Sequence, residues 1–399
     1  MTETKIDISI IIVNYRVKEY ISLLIDSIKK AKNDLEIEIF IVDNNSDDGS
    51  IEYLSRIHDN ITYIRNDTNE GFGKANNQGI KEASGTYTLL INPDTVIEEE
   101  SLWKLKTFLD SHSKCGAAGF KMINSIGNFA KESKRSVPDL KSGIFRALAL
   151  DVLFPKSKLF GKRYLGWIPE EQIASVPVIS GAGMFWRTDV LKALDGFDED
   201  FFMYGEDDDL CYRLQETTYD IQYFPEAKLI HFKGESERPL NVKSLKKVNK
   251  GLIQFFEKHY KGKYNSISCW LISIAFYVRL MIIYLKTLVL PEKPFIQEKV
   301  KEVILIGDYN PEILASQLNR ESDSFKALSK VLDYDKMRNE LNALANSSNN
   351  KVMVIFDVSS ISYERALKLM EDLKSKKLSF HFLLKSEKMI VGKSSVIKL

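Results

Sequence analysis

The chain has 399 residues, 44% hydrophobic and 28% charged, a balance that excludes a wholly disordered chain and a polytopic membrane protein. Fifty-six Lys and Arg against 55 Asp and Glu leave a net charge of +1, so no global field recruits nucleic acid. The length predicts two or three domains. Three separated cysteines, Cys115, Cys211 and Cys269, exclude a Cys-x-x-Cys zinc knuckle or a disulfide framework and point to a reducing cytoplasm.

The N-terminal stretch is too polar to be a secretory signal and predicts a buried strand, Ile8 to Val13, ending in Asn14-Tyr15. A helix follows over Val17 to Lys30, then a strand from Ile37 to Val42 closed by Asp43-Asn44-Asn45-Ser46. Ile61 to Ile64 predicts a shorter strand, Gly73 to Ala83 a helix, and Tyr87 to Ile91 a strand stopped by Asn92-Pro93-Asp94. Strands alternating with helices, with polar residues at the strand ends, predict a doubly wound α/β domain. Ligands bind such domains beyond the carboxyl ends of the strands.

From 131 to 163 the chain turns basic with apolar residues interleaved, which predicts an insertion or flap. Order resumes at Val176 to Trp186 and continues to the acidic run Glu206-Asp207-Asp208-Asp209. Ser266 to Leu290 is the most apolar stretch and contains Arg279 and Lys286. Three alternatives stand for it: an in-plane membrane helix, a buried core helix or a span. After Pro291 and Pro294 a second α/β pattern begins, with strands at Glu302 to Ile306, Lys351 to Phe356 and Leu378 to Leu384 and a helix from Tyr363 to Lys374. The expected domains are therefore 1–262 (catalytic, with the basic insertion), 263–297 (apolar helix and linker) and 298–399 (a smaller Rossmann-like accessory domain). That last domain lacks Gly-x-Gly-x-x-Gly, which argues against nucleotide binding there.

Asp43, at a strand end, suits hydrogen bonds to a base or ribose; the alternative is a cap on the helix opening near Gly49. Asn92-Pro93-Asp94 puts two oxygen-bearing side chains in one short turn, which suits a hard divalent cation carrying a diphosphate, or again a helix cap. Gly71-Phe72-Gly73-Lys74 predicts a phosphate cradle opening a helix, without the Gly-Lys-Ser/Thr ending of an ATPase loop. The acidic run crowds four carboxylates, which should raise at least one pKa, unless it is only a solvated helix start. Asp209 and Arg213 lie one helical turn apart and suggest a structural pair.

Taken in order, Ser9–Tyr15, Ile41–Ser50, Asn69–Gly79, Leu90–Thr95, Gly196–Arg213 and His231–Ser236 closely resemble glycosyltransferase family 2, and within it the rhamnosyltransferase-like branch. The resemblance implies a GT-A fold, a nucleotide-sugar donor, Mg2+ or Mn2+, and inversion at the anomeric carbon. It implies donor-side roles for Asn14, Tyr15, Asp43, Asn45, Asn69, Gly71, Lys74, Asn92 and Asp94, with Asp94 and His231 toward the metal. Asn92 replaces the first Asp of the family's metal motif. A lone His between Ile230 and Phe232 is otherwise a core histidine. Glu206 and Asp207 match the family's acidic pair, with Asp207 as general base. Gly181 and Gly183 match the acceptor side, or a tight strand turn in the core.

The expected function is an inverting, metal-dependent glycosyltransferase. Its donor would be a dTDP-rhamnose-like or UDP-sugar, and its acceptor a glycan or polyprenyl-linked glycan of bacterial surface polysaccharide. It would work at the cytoplasmic membrane face, as a homo-oligomer or in a biosynthetic complex. The alternative is a non-catalytic nucleotide-sugar-binding or scaffolding protein on the same fold.

Overall fold

The computed structural model describes residues 5–233, 242–261, 281, 302–318, 324–328, 333–348 and 351–399. The apolar stretch 266–290 therefore lies almost wholly outside the described residues. Among the described residues no helix is long and apolar enough to cross a membrane.

Four strands form the parallel heart of the first domain: β1 (Ile8–Asn14), β2 (Ile37–Asp43), β3 (Ile61–Arg65) and β4 (Tyr87–Ile91). Their order is β3-β2-β1-β4, all parallel. Helices α1 (Lys18–Ala31), α2 (Ser50–Ile57) and α3 (Phe72–Glu82) connect them, as the alternating pattern predicts. β1 and β4 are buried along their whole length, the reason their sequences are continuous apolar runs. The register sets Asn14 beside Asp43 and Asp43 beside Arg65, so the polar strand ends lie level along one edge.

The sheet continues through β5 (Thr95–Ile97), β6 (Cys115–Ile123), β8 (Ala174–Ser175), β10 (Gly183–Arg187) and β11 (Asp220–His231), with helix α4 (Ser101–Ser111) between β5 and β6. β10 runs antiparallel between β4 and β6, and β11 lies parallel to β6. β5 pairs antiparallel with β11 so that His231 stands opposite Thr95. This pairing brings the end of β11 to the turn after β4. A separate two-stranded pair, β7 (Lys134–Arg135) with β9 (Val178–Ile179), lies beside it.

Within 131–163 the chain forms β7, then the short helices α5 (Leu140–Ala147) and α6 (Leu150–Leu153). Helices α7 (Thr188–Ala193), α8 (Glu206–Gln215) and α9 (Val242–Tyr260) complete the domain.

The C-terminal domain has its own six-stranded sheet: β12 (Glu302–Ile306), β13 (Ser324–Leu328), β14 (Val352–Asp357), β15 (Leu378–Leu384), β16 (Met389–Gly392) and β17 (Ser395–Lys398). The order β13-β12-β14-β15 is parallel, and β16 and β17 add an antiparallel hairpin. β13, the helix Tyr334–Ser347 and that hairpin are elements the sequence pattern did not yield.

This domain packs on α1 and on the end of β11. Tyr20 and Leu23 of α1 join Phe232, Phe382 and Val391 in one core, and Tyr20 Oη donates to the Gly392 carbonyl at 3.0 Å. Tyr363 Oη donates to Asp26 at 2.7 Å, and Glu99 caps the helix Tyr363–Leu373 by accepting from the backbone N–H groups of Tyr363 and Glu364. Gly127 approaches this helix so closely that a Cβ would overlap the Met370 carbonyl.

Candidate active site

At the ends of β1 and β2, Asn14 Nδ2 donates to Asp43 Oδ1 at 2.6 Å and to Ser46 Oγ at 3.0 Å. Asp43 also accepts from the Ser46 amide and hydroxyl. It does not cap the helix beyond Gly49, which has no side-chain cap. The carboxylate is buried yet surrounded by donors, so its desolvation is offset.

Asn44 is the hub of the next layer. Its amide donates to the Gly71 carbonyl and to Asn69, and its oxygen accepts from Asn66 and from the Glu70 backbone. Sequence inspection put Asn45 in the site; Asn45 is exposed at φ 60°, and the buried side chain is Asn44. Tyr15 is half-buried, with the Arg16 guanidinium 5.3 Å from its ring centre.

Gly71 adopts φ 88° at the start of α3, and a Cβ there would lie 2.5 Å from the Phe202 carbonyl. Only glycine fits both conditions. Lys74 differs from the expected open phosphate ligand: it is paired with Glu70 at 2.5 Å, which raises its pKa. A phosphate binding here must compete with Glu70 for Lys74.

The turn after β4 and the end of β11 form the second cluster. His231 Nε2 lies 3.3 Å from Asp94 Oδ1 and 3.4 Å from Asn92 Nδ2. The Phe232 amide donates to the Asp94 carbonyl at 3.0 Å. Asn92 Oδ1 and His231 Nδ1 are buried without a hydrogen-bond partner among the described residues. Orphaned buried acceptors are costly and mark places where a ligand completes the bonding. The described residues hold no group of three or more His, Cys, Asp or Glu side chains set for a metal. One carboxylate, one imidazole and one free amide oxygen nevertheless suit a divalent cation whose remaining ligands come from a diphosphate.

The acidic run is not a solvated helix start. Gly205, at φ 98°, opens α8, and Glu206, Asp208 and Asp209 are all buried. Asp207 accepts from Arg135 and, at 3.0 Å, from the Gly181 amide. Asp208 takes a two-pronged contact from Arg163 at 2.8 and 3.1 Å. Asp209 is paired with Arg213, as the spacing predicts, and with Lys258 and His259 of α9.

Burial pushes Asp207 up, but the Arg135 guanidinium beside it outweighs this and holds its carboxyl below the usual range. Glu206 moves the other way: burial first, and the Asp207 charge second, push it well above the ordinary value. The raised pKa expected from crowding therefore falls on Glu206. Glu206 Oε2 is buried and unpartnered among the described residues.

The two glycines of the 181–183 segment separate. Gly181 supports Asp207, and a Cβ there would meet the Asp207 side chain at 3.3 Å. Gly183 sits in the core, where a Cβ would lie 2.6 Å from Leu229. Its small size serves packing rather than an acceptor.

Arg135 and Arg163 are the partners of the acidic run that sequence inspection missed, having been read as part of a generic basic insertion. The available signal was arithmetic: a run of four consecutive acids in a near-neutral chain needs cations if it packs inward, and the basic segment was a source. A cleft of about 590 Å³ beside Asn77, Phe197, Asp198, Arg213 and Lys258 touches none of these strand-end groups.

Residues 9–164 match the family model described as Glycosyl transferase family 2. With the doubly wound sheet and the ordered strand-end motifs, the chain is a glycosyltransferase carrying a family 2 domain.

Among characterised relatives, the low-salt glycan biosynthesis hexosyltransferase Agl10 of Haloferax volcanii is 29% identical, over 56% of this chain and 67% of its own. The rhamnosyltransferase WbbL of Escherichia coli K12 is 25% identical over 59% of this chain and 88% of its own. The N-acetylglucosaminyl-diphospho-decaprenol L-rhamnosyltransferase of Mycobacterium tuberculosis is 25% identical over 62% and 83%. The resemblance to the rhamnosyltransferase-like branch is thus matched by two relatives of that activity.

Proposed function

We propose that this glycosyltransferase moves a deoxyhexose such as rhamnose, or a UDP-linked sugar, from its nucleotide to a hydroxyl of a polyprenyl-linked glycan, with inversion. The meeting of Asp94, Asn92 and His231 at the strand ends carries the reading. The hydrogen-bonded strand ends at Asp43 and Asn44 bind the nucleotide, and the turn at Asp94 faces its diphosphate. A divalent cation held by Asp94, His231 and Asn92 would neutralise charge on the departing diphosphate.

The attacking hydroxyl is far too weak an acid to ionise alone. As its oxygen bonds to the anomeric carbon, its proton passes to Asp207 and the sugar–phosphate bond breaks, its electrons leaving with the nucleoside diphosphate. Arg135 keeps Asp207 ionised and oriented at neutral pH. A carboxylate with a low pKa is a modest base, but the hydroxyl grows acidic as the new bond forms. Glu206, kept protonated, adds no second negative charge beside it. Acceptors on a lipid carrier place the work at the inner membrane face. The name of the mycobacterial relative supports that class of acceptor.

A screen of nucleotide sugars for donor hydrolysis, with Mg2+ or Mn2+, tests this. Asp94→Asn should abolish the divalent-dependent part of donor binding, measured calorimetrically. Unchanged affinity with and without metal would remove Asp94 from the site.

A further inference from the structure

We infer that the helical loop between Ser136 and Arg163 is a membrane-docking surface for anionic bilayers, hinged on the ion pairs of the acidic helix. Its neck is closed by the Ser136 amide donating to the Arg163 carbonyl at 3.0 Å and by Lys162 paired with Asp139 at 2.9 Å. On either side of that neck, Arg135 and Arg163 hold Asp207 and Asp208. The loop is thus built onto the catalytic edge.

Its outer part exposes large apolar side chains. Leu148, Val152 and Leu153 are 63%, 66% and 67% exposed, and Phe154 and Leu159 are 52% and 54%. Soluble surfaces scatter such residues singly; a contiguous group marks an interaction site. The turn beneath them is well built. Phe160 packs edge-to-face on Phe145 and at a tilt on Phe154, at 5.0 and 5.6 Å between ring centres, and Gly161 and Gly166 leave no room for a Cβ against the Pro155 carbonyl.

Charge selects the occupant. Lys141, Arg146, Lys156, Lys158 and Lys162 of the same loop are exposed, while of its two acids Asp151 is buried and Asp139 is paired with Lys162. The chain as a whole carries only +1, so this positive field is local. Exposed apolar side chains interleaved with exposed lysines fit the boundary of an anionic bilayer, with the lysines reaching to the headgroups. Docking there would hold the Asp207 edge against the membrane that carries the acceptor. In purpose the inference rests on the proposed lipid-linked acceptor, and its test uses neither donor nor acceptor, so the two can fail separately.

The full chain should float with phosphatidylcholine vesicles containing phosphatidylglycerol, and less with phosphatidylcholine alone. Leu153→Ser with Phe154→Ser should lose most binding to both kinds of vesicle at every salt concentration. Lys156→Gln with Lys158→Gln should weaken binding to the anionic vesicles by about tenfold or more and flatten its salt dependence. All four positions are exposed, so the fold should persist, with the melting temperature lowered only by loss of the Phe154–Phe160 contact. The inference is overturned if the wild-type chain does not float, or if the Leu153/Phe154 variant floats like wild type because other residues carry attachment. It is equally overturned if sedimentation shows that this variant dissociates a dimer while vesicle binding persists, since the patch would then be a self-interface.

Discussion

The two halves of the active-site edge solve one problem by different means. On the donor side, Asp43 is buried among an asparagine and a serine, and Asn44 ties three neighbouring turns together through neutral amides. On the acceptor side, each of three consecutive aspartates has its own cation, two of them delivered from the loop 131–163. Neutral hydrogen bonds contribute about 1 kcal/mol each and leave a surface that a ligand can rearrange. Buried ion pairs contribute little net but cost heavily when one partner is lost, which fixes geometry rather than adding stability. The proposed site, which would admit a charged nucleotide and aim one carboxylate, has use for both.

Removing a cation should therefore do more damage than removing an amide. Arg163→Met leaves Asp208 buried with only Arg135 nearby, at 3.6 Å, and should cost about 3 kcal/mol in denaturant unfolding. A loss below about 1 kcal/mol would mean the pair is solvated and the contrast between the halves false. Asn44→Ala should cost about 1–3 kcal/mol, since it leaves polar partners unsatisfied. It should also weaken donor binding, because it loosens the turn at Gly71; calorimetry on a folded variant checks this.

The joint between the domains offers a pH-dependent effect. Burial, with Lys29 beside it, holds His58 down at about 4, below its ordinary 6.5. The unfolded chain thus binds a proton between pH 6.5 and 4 that the folded chain does not. Stability should fall as pH drops through that window and level off below it, and His58→Gln should flatten the profile. Melting curves across the window provide the check.

The parallel core was legible because buried strands write themselves as unbroken apolar runs: Ile8 to Asn14 and Tyr87 to Ile91 lie where the pattern puts them. Motif order pointed to Asp43, Asp94 and Asp207, and the structure sets the first two at strand ends and the third in the first turn of α8. The partners were not. Arg135 and Arg163 reach the acidic helix across 72 and 45 residues of chain, and no local periodicity encodes a long-range pair. Asn44 lost out to Asn45 because neighbours in a turn differ only in which way the backbone aims them, and the positive φ of Asn45 sends it outward. In the C-terminal domain, β13 and the final hairpin are short and flanked by polar residues, so they gave little signal.

The central claim is that Asp207 takes the proton from the acceptor while the donor half binds independently. Donor affinity and transfer rate should be measured together on Asp207→Asn, a substitution that keeps size and hydrogen-bonding capacity while removing the charge. Donor affinity should stay within a few-fold of wild type, and transfer should fall by about 10²-fold or more. Glu206→Gln, at a carboxyl that burial and the Asp207 charge push well above its ordinary pKa, should be much milder. Transfer that survives Asp207→Asn but is lost in Glu206→Gln would contradict the account and move the base one residue back.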